Sequence, residues 1–176
     1  MHAYCLFCET AKCNFVAAAA IQRFGCQALY PKQIQHTWSK GKMVDISHDL
    51  LPGYVFLYAE NEPLAPPALH SLQGVIRCLK NSDGQYELTG EDERFALMLL
   101  EKGGVIGKTK VYREGQRIHI CKGVYEGLET RILKVNHRNQ RMQIEIPFAN
   151  MLVKTWVEYE IVEDCGGQPF ADQLEP

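Results

Sequence analysis

The segment Leu51-Pro52-Gly53-Tyr54-Val55-Phe56-Leu57 constrains the fold more than any other. Pro52 fixes φ and Gly53 accepts a positive φ, so the chain bends sharply before Tyr54. The residues that follow read as a strand. Alternation puts Tyr54, Phe56 and Tyr58 on one face and Val55 and Leu57 on the other. A strand that is aliphatic on one face and aromatic on the other has two surfaces to serve, one a core and one an interface.

The flanking pattern extends this strand into a layered domain. Residues 3–7 are short and apolar, a first strand. Thr10 reads as an N-cap. Cys13, Val16, Ala17, Ala20 and Phe24 then recur at helical spacing up to Gly25, which sits where a C′ glycine belongs. Residues 27–30 form a second strand, stopped by Pro31. Residues 34–47 are polar around Gly41 and read as an extended hairpin or a loop. Pro63, Pro66 and Pro67 mark a loop with a short helix over 68–72, and 75–79 is a strand. Thr89 is placed as the cap of a helix whose first turn carries Glu91, Asp92 and Glu93, favourable at the positive end of the dipole. Phe95, Met98 and Leu99 are its buried stripe, and Gly103-Gly104 end it. This order predicts an α+β sandwich over residues 1–104, with helices against one antiparallel sheet.

Residues 105–112 read as a linker. Beyond them the period changes to two. Ile118 and Ile120, Leu133 and Val135, Met142, Ile144 and Ile146, and Val157, Tyr159 and Ile161 alternate with polar neighbours. Asn136-His137-Arg138-Asn139 is a hairpin tip. Several short strands over residues 113–163 predict a small SH3-like β-barrel. Pro147 opposes a helical alternative for this stretch. Residues 164–176 are acidic and glycine-containing, and are expected to be disordered.

Hydrophobic residues make up 46% of the 176 and charged residues 23%, which is the profile of a globular protein in water. No apolar run reaches the length of a membrane span. The N-terminus lacks a basic stretch followed by an apolar one, so a cytoplasmic location is expected. Seven cysteines in such a chain read as reduced thiols. The net charge of −2 conceals a division. Nine Lys/Arg against four acids lie between positions 110 and 154, and six acids with no base follow from 158 onward. A local basic surface beside an acidic tail is the consequence.

The Cys5-x-x-Cys8 pair does not read as a zinc site. Leu6-Phe7 is strand material, and along a strand the two thiols face opposite ways. No metal ligand set and no cofactor site are expected. Nucleophile-elbow, P-loop, zincin and dinucleotide motifs are all missing from the sequence, so no catalytic residue is assigned and the chain is not read as an enzyme.

The Pro52-Gly53-Tyr54-Val55 core, followed by Gly115, Lys122-Gly123, Tyr125 and Gly127, resembles the NusG family, as an N-terminal NusG-type domain joined to a KOW barrel. Thr130 departs from the KOW pattern, which usually carries glycine there. Residues 134–148 are similar to the LoaP subgroup of specialised antiterminators. The resemblance implies a monomeric, non-enzymatic elongation factor. Phe7, Tyr54 and Phe56 would dock the clamp helices of RNA polymerase. Lys32, Lys40, Lys42, Arg77 and Lys80, with Trp38 for stacking, would face non-template DNA or a nascent RNA hairpin. The barrel would recruit a second partner, a ribosomal protein or Rho, and leave the aromatic patch open. The function implied is antitermination at specific operons. Alternatives are a general housekeeping NusG, or a KOW-containing RNA-binding or ribosome-associated module without polymerase contact.

Overall fold

The Pro52-Gly53 bend organises the first half of the molecule. In the computed structural model, which describes residues 1–81, 83–121 and 123–163, strand β1 (His2–Cys8) runs antiparallel to β5 (Tyr54–Ala59) with Phe7 opposite Tyr54. Gly53 has φ +90, and a Cβ there would lie 2.9 Å from the Phe7 ring. The Gly53 carbonyl accepts the Cys8 N–H at 2.7 Å, and the Leu51 carbonyl accepts the Tyr54 N–H at 3.1 Å. Only glycine fits this conformation and this space.

β2 (Gln27–Leu29) and β6 (Val75–Cys78) complete a four-stranded antiparallel sheet in the order β2-β5-β1-β6. One face carries Tyr4, Leu6, Cys8, Val55 and Leu57. It packs under α1 (Cys13–Phe24), through Cys13, Val16 and Ala20, and under α2 (Pro66–His70), through Leu69. The other face carries Ala3, Cys5, Phe56 and Tyr58 and packs against Phe95, Ala96 and Leu99 of α3 (Gly90–Glu101). The Tyr58 hydroxyl donates to the Ala96 carbonyl at 2.7 Å.

Two caps differ from the sequence expectation. A 3-10 turn over Thr10–Lys12 precedes α1, so Thr10 does not cap it. Thr89 stands at the N-cap of α3, but its hydroxyl accepts from the Asn81 side chain at 3.1 Å and makes no cap bond. Ala96, not Met98, is the third buried residue of that helix. Gly25 closes α1 with φ 64, as a C′ glycine does.

The polar stretch after Pro31 is a long hairpin. β3 (Lys32–Ser39) and β4 (Lys42–Asp49) pair along their whole length around Lys40-Gly41. Both turn residues have positive φ, 51 and 76, as a two-residue hairpin turn requires. β7 (Val105–Ile106) adds to β3 in parallel and the next strand begins at Thr109, so of the expected 105–112 linker only Gly107 and Lys108 lie outside strands.

The described part of the second half is strands and loops with one 3-10 turn over Glu129–Arg131. β8 (Thr109–Glu114) and β9 (Arg117–Ile120) form a hairpin; β10 (Ile132–Asn136), β11 (Arg141–Phe148) and β12 (Met151–Ile161) form a meander. A parallel β12–β8 pairing joins them in the order β10-β11-β12-β8-β9. Met142, Ile144 and Ile146 alternate inward along β11 and meet Val111, Ile118, Ile120, Val157 and Tyr159. The whole is an α+β sandwich followed by a KOW-like β-barrel. Lys122 and the acidic tail lie outside the described residues.

Candidate functional site

The aromatic face of the first sheet is not open. Phe56 is completely buried, its ring 6.3 Å from Phe95 of α3 and 5.3 Å from Phe148 at the end of β11. Phe148 also meets Phe95 at 5.6 Å. The expectation that the barrel leaves this patch free is therefore corrected. The tip of the β11–β12 hairpin sits on it.

Four consecutive residues make that contact. Phe148 fills the gap between Phe56 and Phe95. The Ala149 N–H donates to Asp92 Oδ1 at 3.0 Å. The Asn150 amide donates to the Asn81 carbonyl at 3.0 Å. Met151 Sδ receives the Arg77 guanidinium at 3.2 Å. Ala149 and Asn150 form the two-residue turn with φ 48 and 60, a conformation disfavoured for a residue with a Cβ. Away from the tip, Thr155 donates to the Leu50 carbonyl at 3.1 Å. Glu158 accepts both the backbone N–H and the ring of His36, each at 3.2 Å. That carboxylate occupies the part of β3 that β7 does not pair.

Phe7 and Tyr54 stand at the rim of this contact. Both are half-buried and their rings lie 5.2 Å apart. The Arg77 guanidinium is 5.5 Å from the Phe7 ring. Burial pushes the Tyr54 phenol above its ordinary pKa, with Arg77 acting in the opposite direction. The three predicted anchors thus divide. Phe7 and Tyr54 present partly exposed rings, and Phe56 is buried farther along the same face.

The five predicted basic residues divide as well. Lys32 is paired with Asp49 and sits 3.9 Å over the Tyr30 ring. Arg77 is held between Phe7 and Met151, and Lys80 lies 4.9 Å over the Tyr86 ring. Lys40 and Lys42 stand exposed at the hairpin tip beside Trp38, which is 70% exposed and pairs across the hairpin with Met43. An exposed indole with two lysines on a strand-paired tip is chemically suited to stacking and phosphate contact.

Of the KOW residues, Gly115 turns β8 into β9 with φ 61, Tyr125 is buried, and Gly127 has φ 80 in the loop after β9. Cys5 lies in the core under α3 and Cys8 in the core under α1, as alternation requires. Burial pushes the Cys8 and Cys78 thiols up to about 12. Among the described residues no group of three or more His, Cys, Asp or Glu is arranged to hold a metal. No helix among the described residues is long and apolar enough to cross a membrane.

Sequence reasoning missed Phe148, Asn150 and Asn81. Phe148 ends an alternating strand and reads as an ordinary inward residue. Asn81 is buried, and its side chain bonds Glu87, Thr89, Asp83 and Gln85 at 2.9–3.1 Å. Only its place in a turn between strand and helix signals that role.

Residues 1–96 match the family model described as "Transcription termination factor nusG". No curated protein matches the chain. Among solved structures it is similar to Thermotoga maritima NusG, in a structure described for domain interaction, with a TM-score of 0.49 and 16% identity over 89% of this chain and 93% of that one. The family model covers more than half of the sequence, and the chain belongs to the NusG family of transcription elongation and termination factors.

Proposed function

We propose that this protein binds RNA polymerase through the rim formed by Phe7 and Tyr54, and that it promotes processive antitermination at specific operons, in the manner of LoaP-type paralogues. The observation that carries this reading is the Phe7–Tyr54 ring pair, half-exposed on a rigid sheet and locked by the Gly53 bend. Aromatic anchors held in this way bury much area at low entropic cost and dominate protein interfaces. Phe56 belongs to the same face and becomes available when the β11–β12 tip leaves. The working division is residues 1–104 as the polymerase-binding unit and 113–163 as the barrel, with 105–112 between them carrying β7 and the start of β8. Limited proteolysis that cuts in the joining segment supports that division.

In this account the protein acts as a clamp and performs no catalysis. The hairpin tip, with Trp38, Lys40 and Lys42, is the nucleic-acid contact favoured over Lys32, Arg77 and Lys80, which are engaged with Asp49, with Phe7 and Met151, and with Tyr86. The barrel, once displaced, is free to take a ribosomal protein or Rho, and a short tether raises the effective concentration of that second contact. The test is in vitro transcription through a terminator, with and without the protein. Increased read-through is expected. Unchanged read-through on the protein's own operon template, with polymerase binding intact, would reject antitermination.

A further inference from the structure

The Glu158 carboxylate is buried on β12 of the barrel, yet the donors it binds lie on β3, in the other half of the molecule. Its Oε2 accepts the His36 backbone N–H and the His36 ring at Nδ1, each at 3.2 Å, and Arg141 Nε stands 4.0 Å from Oε1. A buried charge needs such partners. The register of β3 supplies the first of them. The Lys32 N–H donates to the Gly104 carbonyl beside β7, so the N–H groups of Lys32, Ile34, His36 and Trp38 share one edge of the strand. β7 pairs only Lys32 and Gln33, and among the described residues no strand continues along that edge. At His36 the carboxylate stands where a strand does not.

Side chains alternate with the same period. His36 and Trp38 therefore project from one face of the hairpin, about 7 Å apart along the strand. The indole is 70% exposed. Lys40 and Lys42 follow at the turn. Asp45 Oδ1 lies 3.6 Å from the other ring nitrogen, Nε2, so Nδ1 is the nitrogen turned toward an incoming anion. An anion seated on a backbone N–H and an imidazole, one step from an open indole, matches what a single-stranded nucleic acid offers: a phosphate for the donors and a base for the ring.

We propose that Glu158 is a built-in substitute for a nucleic-acid phosphate. It occupies the His36 donor pair while the barrel is docked. When the barrel leaves, a phosphate takes that pair and the adjoining base stacks on Trp38. His36 is then a nucleic-acid-binding residue, and barrel docking and nucleic-acid binding compete for the hairpin. This rests on the reading of the hairpin tip as the nucleic-acid contact, and adds the residue that docking hides and the carboxylate that hides it. An acidic peptide would also bring a carboxylate to His36, but the open indole and two lysines favour a chain of bases and phosphates.

Fluorescence anisotropy of short labelled oligouridylate and oligothymidylate with the full-length protein tests this, with oligoglutamate as unlabelled competitor. Glu158→Ala should tighten binding about tenfold, since it removes the internal competitor. Glu160→Ala, which takes the same charge from the same strand, should bind as the parent does. The Phe148→Ala/Asn150→Ala variant frees the hairpin by another route and should also bind more tightly. Adding His36→Ala to that variant should weaken binding about tenfold, as loss of a charge-assisted bond does. The oligonucleotide that responds to both substitutions names the source, RNA or DNA. If neither oligonucleotide binds, or Trp38→Ala binds as the parent does, the hairpin reading fails and the proposal fails with it. If Trp38 is required but Glu158→Ala, folded by its amide NMR spectrum, binds no more tightly, the proposal alone is overturned. The same holds if His36→Ala binds no more weakly in the freed variant. Displacement of the oligonucleotide by an equal concentration of oligoglutamate would assign the donors to an acidic peptide and equally overturn it.

Discussion

The two faces of the first sheet are covered in different ways. On one face Leu6, Val55 and Leu57 pack under α1 and α2, which follow β1 and β5 closely in sequence. On the other, Phe56 meets Phe148, which lies 92 positions later at the tip of a hairpin. The first contact is a core in the ordinary sense, its hydrogen bonds few and local, such as the Leu64 N–H to the Tyr4 hydroxyl. The second joins an aromatic plug to directed hydrogen bonds at Asp92, Asn81 and Leu50. A mixed seam of this kind resembles a transient interface more than a domain interior. The contrast teaches that Phe56 has two covers, Phe95 of α3 close by in the same layer and Phe148 from the distant β11–β12 tip.

The largest expected effect breaks the face under α1 and α2. Leu57→Ala, at a fully buried position, should cost about 4 kcal/mol of stability, through lost transfer energy and a cavity. Urea denaturation measures it, and a loss below about 1 kcal/mol would show that this face can relax as freely as a surface. Next comes the rim. Tyr54→Ala should cost about 2 kcal/mol in polymerase affinity, as a hot-spot anchor does, with a much smaller change in folding stability. Equilibrium binding to purified polymerase reads the first quantity and thermal melting the second.

A smaller effect sharpens the docking tip. Ala149→Gly should stabilise the folded barrel by up to about 1 kcal/mol, because glycine adopts the positive φ of 48 without penalty. A destabilised variant would mean that the alanine methyl matters more than the backbone. The smallest effect is a pH dependence at the hairpin root. Burial pushes the Asp49 carboxyl up, but Lys32, Tyr30 and His48 together outweigh burial and hold it below its ordinary value. A depressed carboxyl pKa adds stability above the unfolded value, near about 3.9, and that stability is lost as pH falls through the folded value. Asp49→Asn should therefore be slightly less stable than the parent at neutral pH, with the difference vanishing below about pH 4. A constant difference across that range would remove Asp49 from the account.

Much of the face under α1 and α2 was legible in the sequence, and little of the face that meets Phe148. Pro52-Gly53, the Val55/Leu57 alternation, the α1 stripe and the Gly25 cap are local signals, and local sterics decide them. The period of two along β11 and β12 identified the barrel for the same reason. Docking is different. Nothing near Phe148 separates a residue turned into its own barrel from one turned onto another sheet, since both are apolar ends of an alternating strand. Thr89 shows a related limit, where a buried Asn81 nearby claims the hydroxyl that a cap would use. The residues between 105 and 112 read as a linker because their glycine content says nothing of a strand borrowed from β3. For the site, the pattern selected the aromatic face but could not rank its members. Burial separates Phe56 from Phe7 and Tyr54.

The central claim is that the β11–β12 tip covers a polymerase-binding face and must leave before that face is used. The direct measurement is the affinity of full-length protein for RNA polymerase, compared between the parent and a Phe148→Ala/Asn150→Ala variant whose barrel is shown by NMR to remain folded. A binding-competent state that is only fractionally populated lowers apparent affinity by that fraction. Removing the plug should therefore tighten binding, on the order of tenfold. Equal or weaker binding by the folded variant would contradict the account, and would make the tip part of the polymerase contact or irrelevant to it.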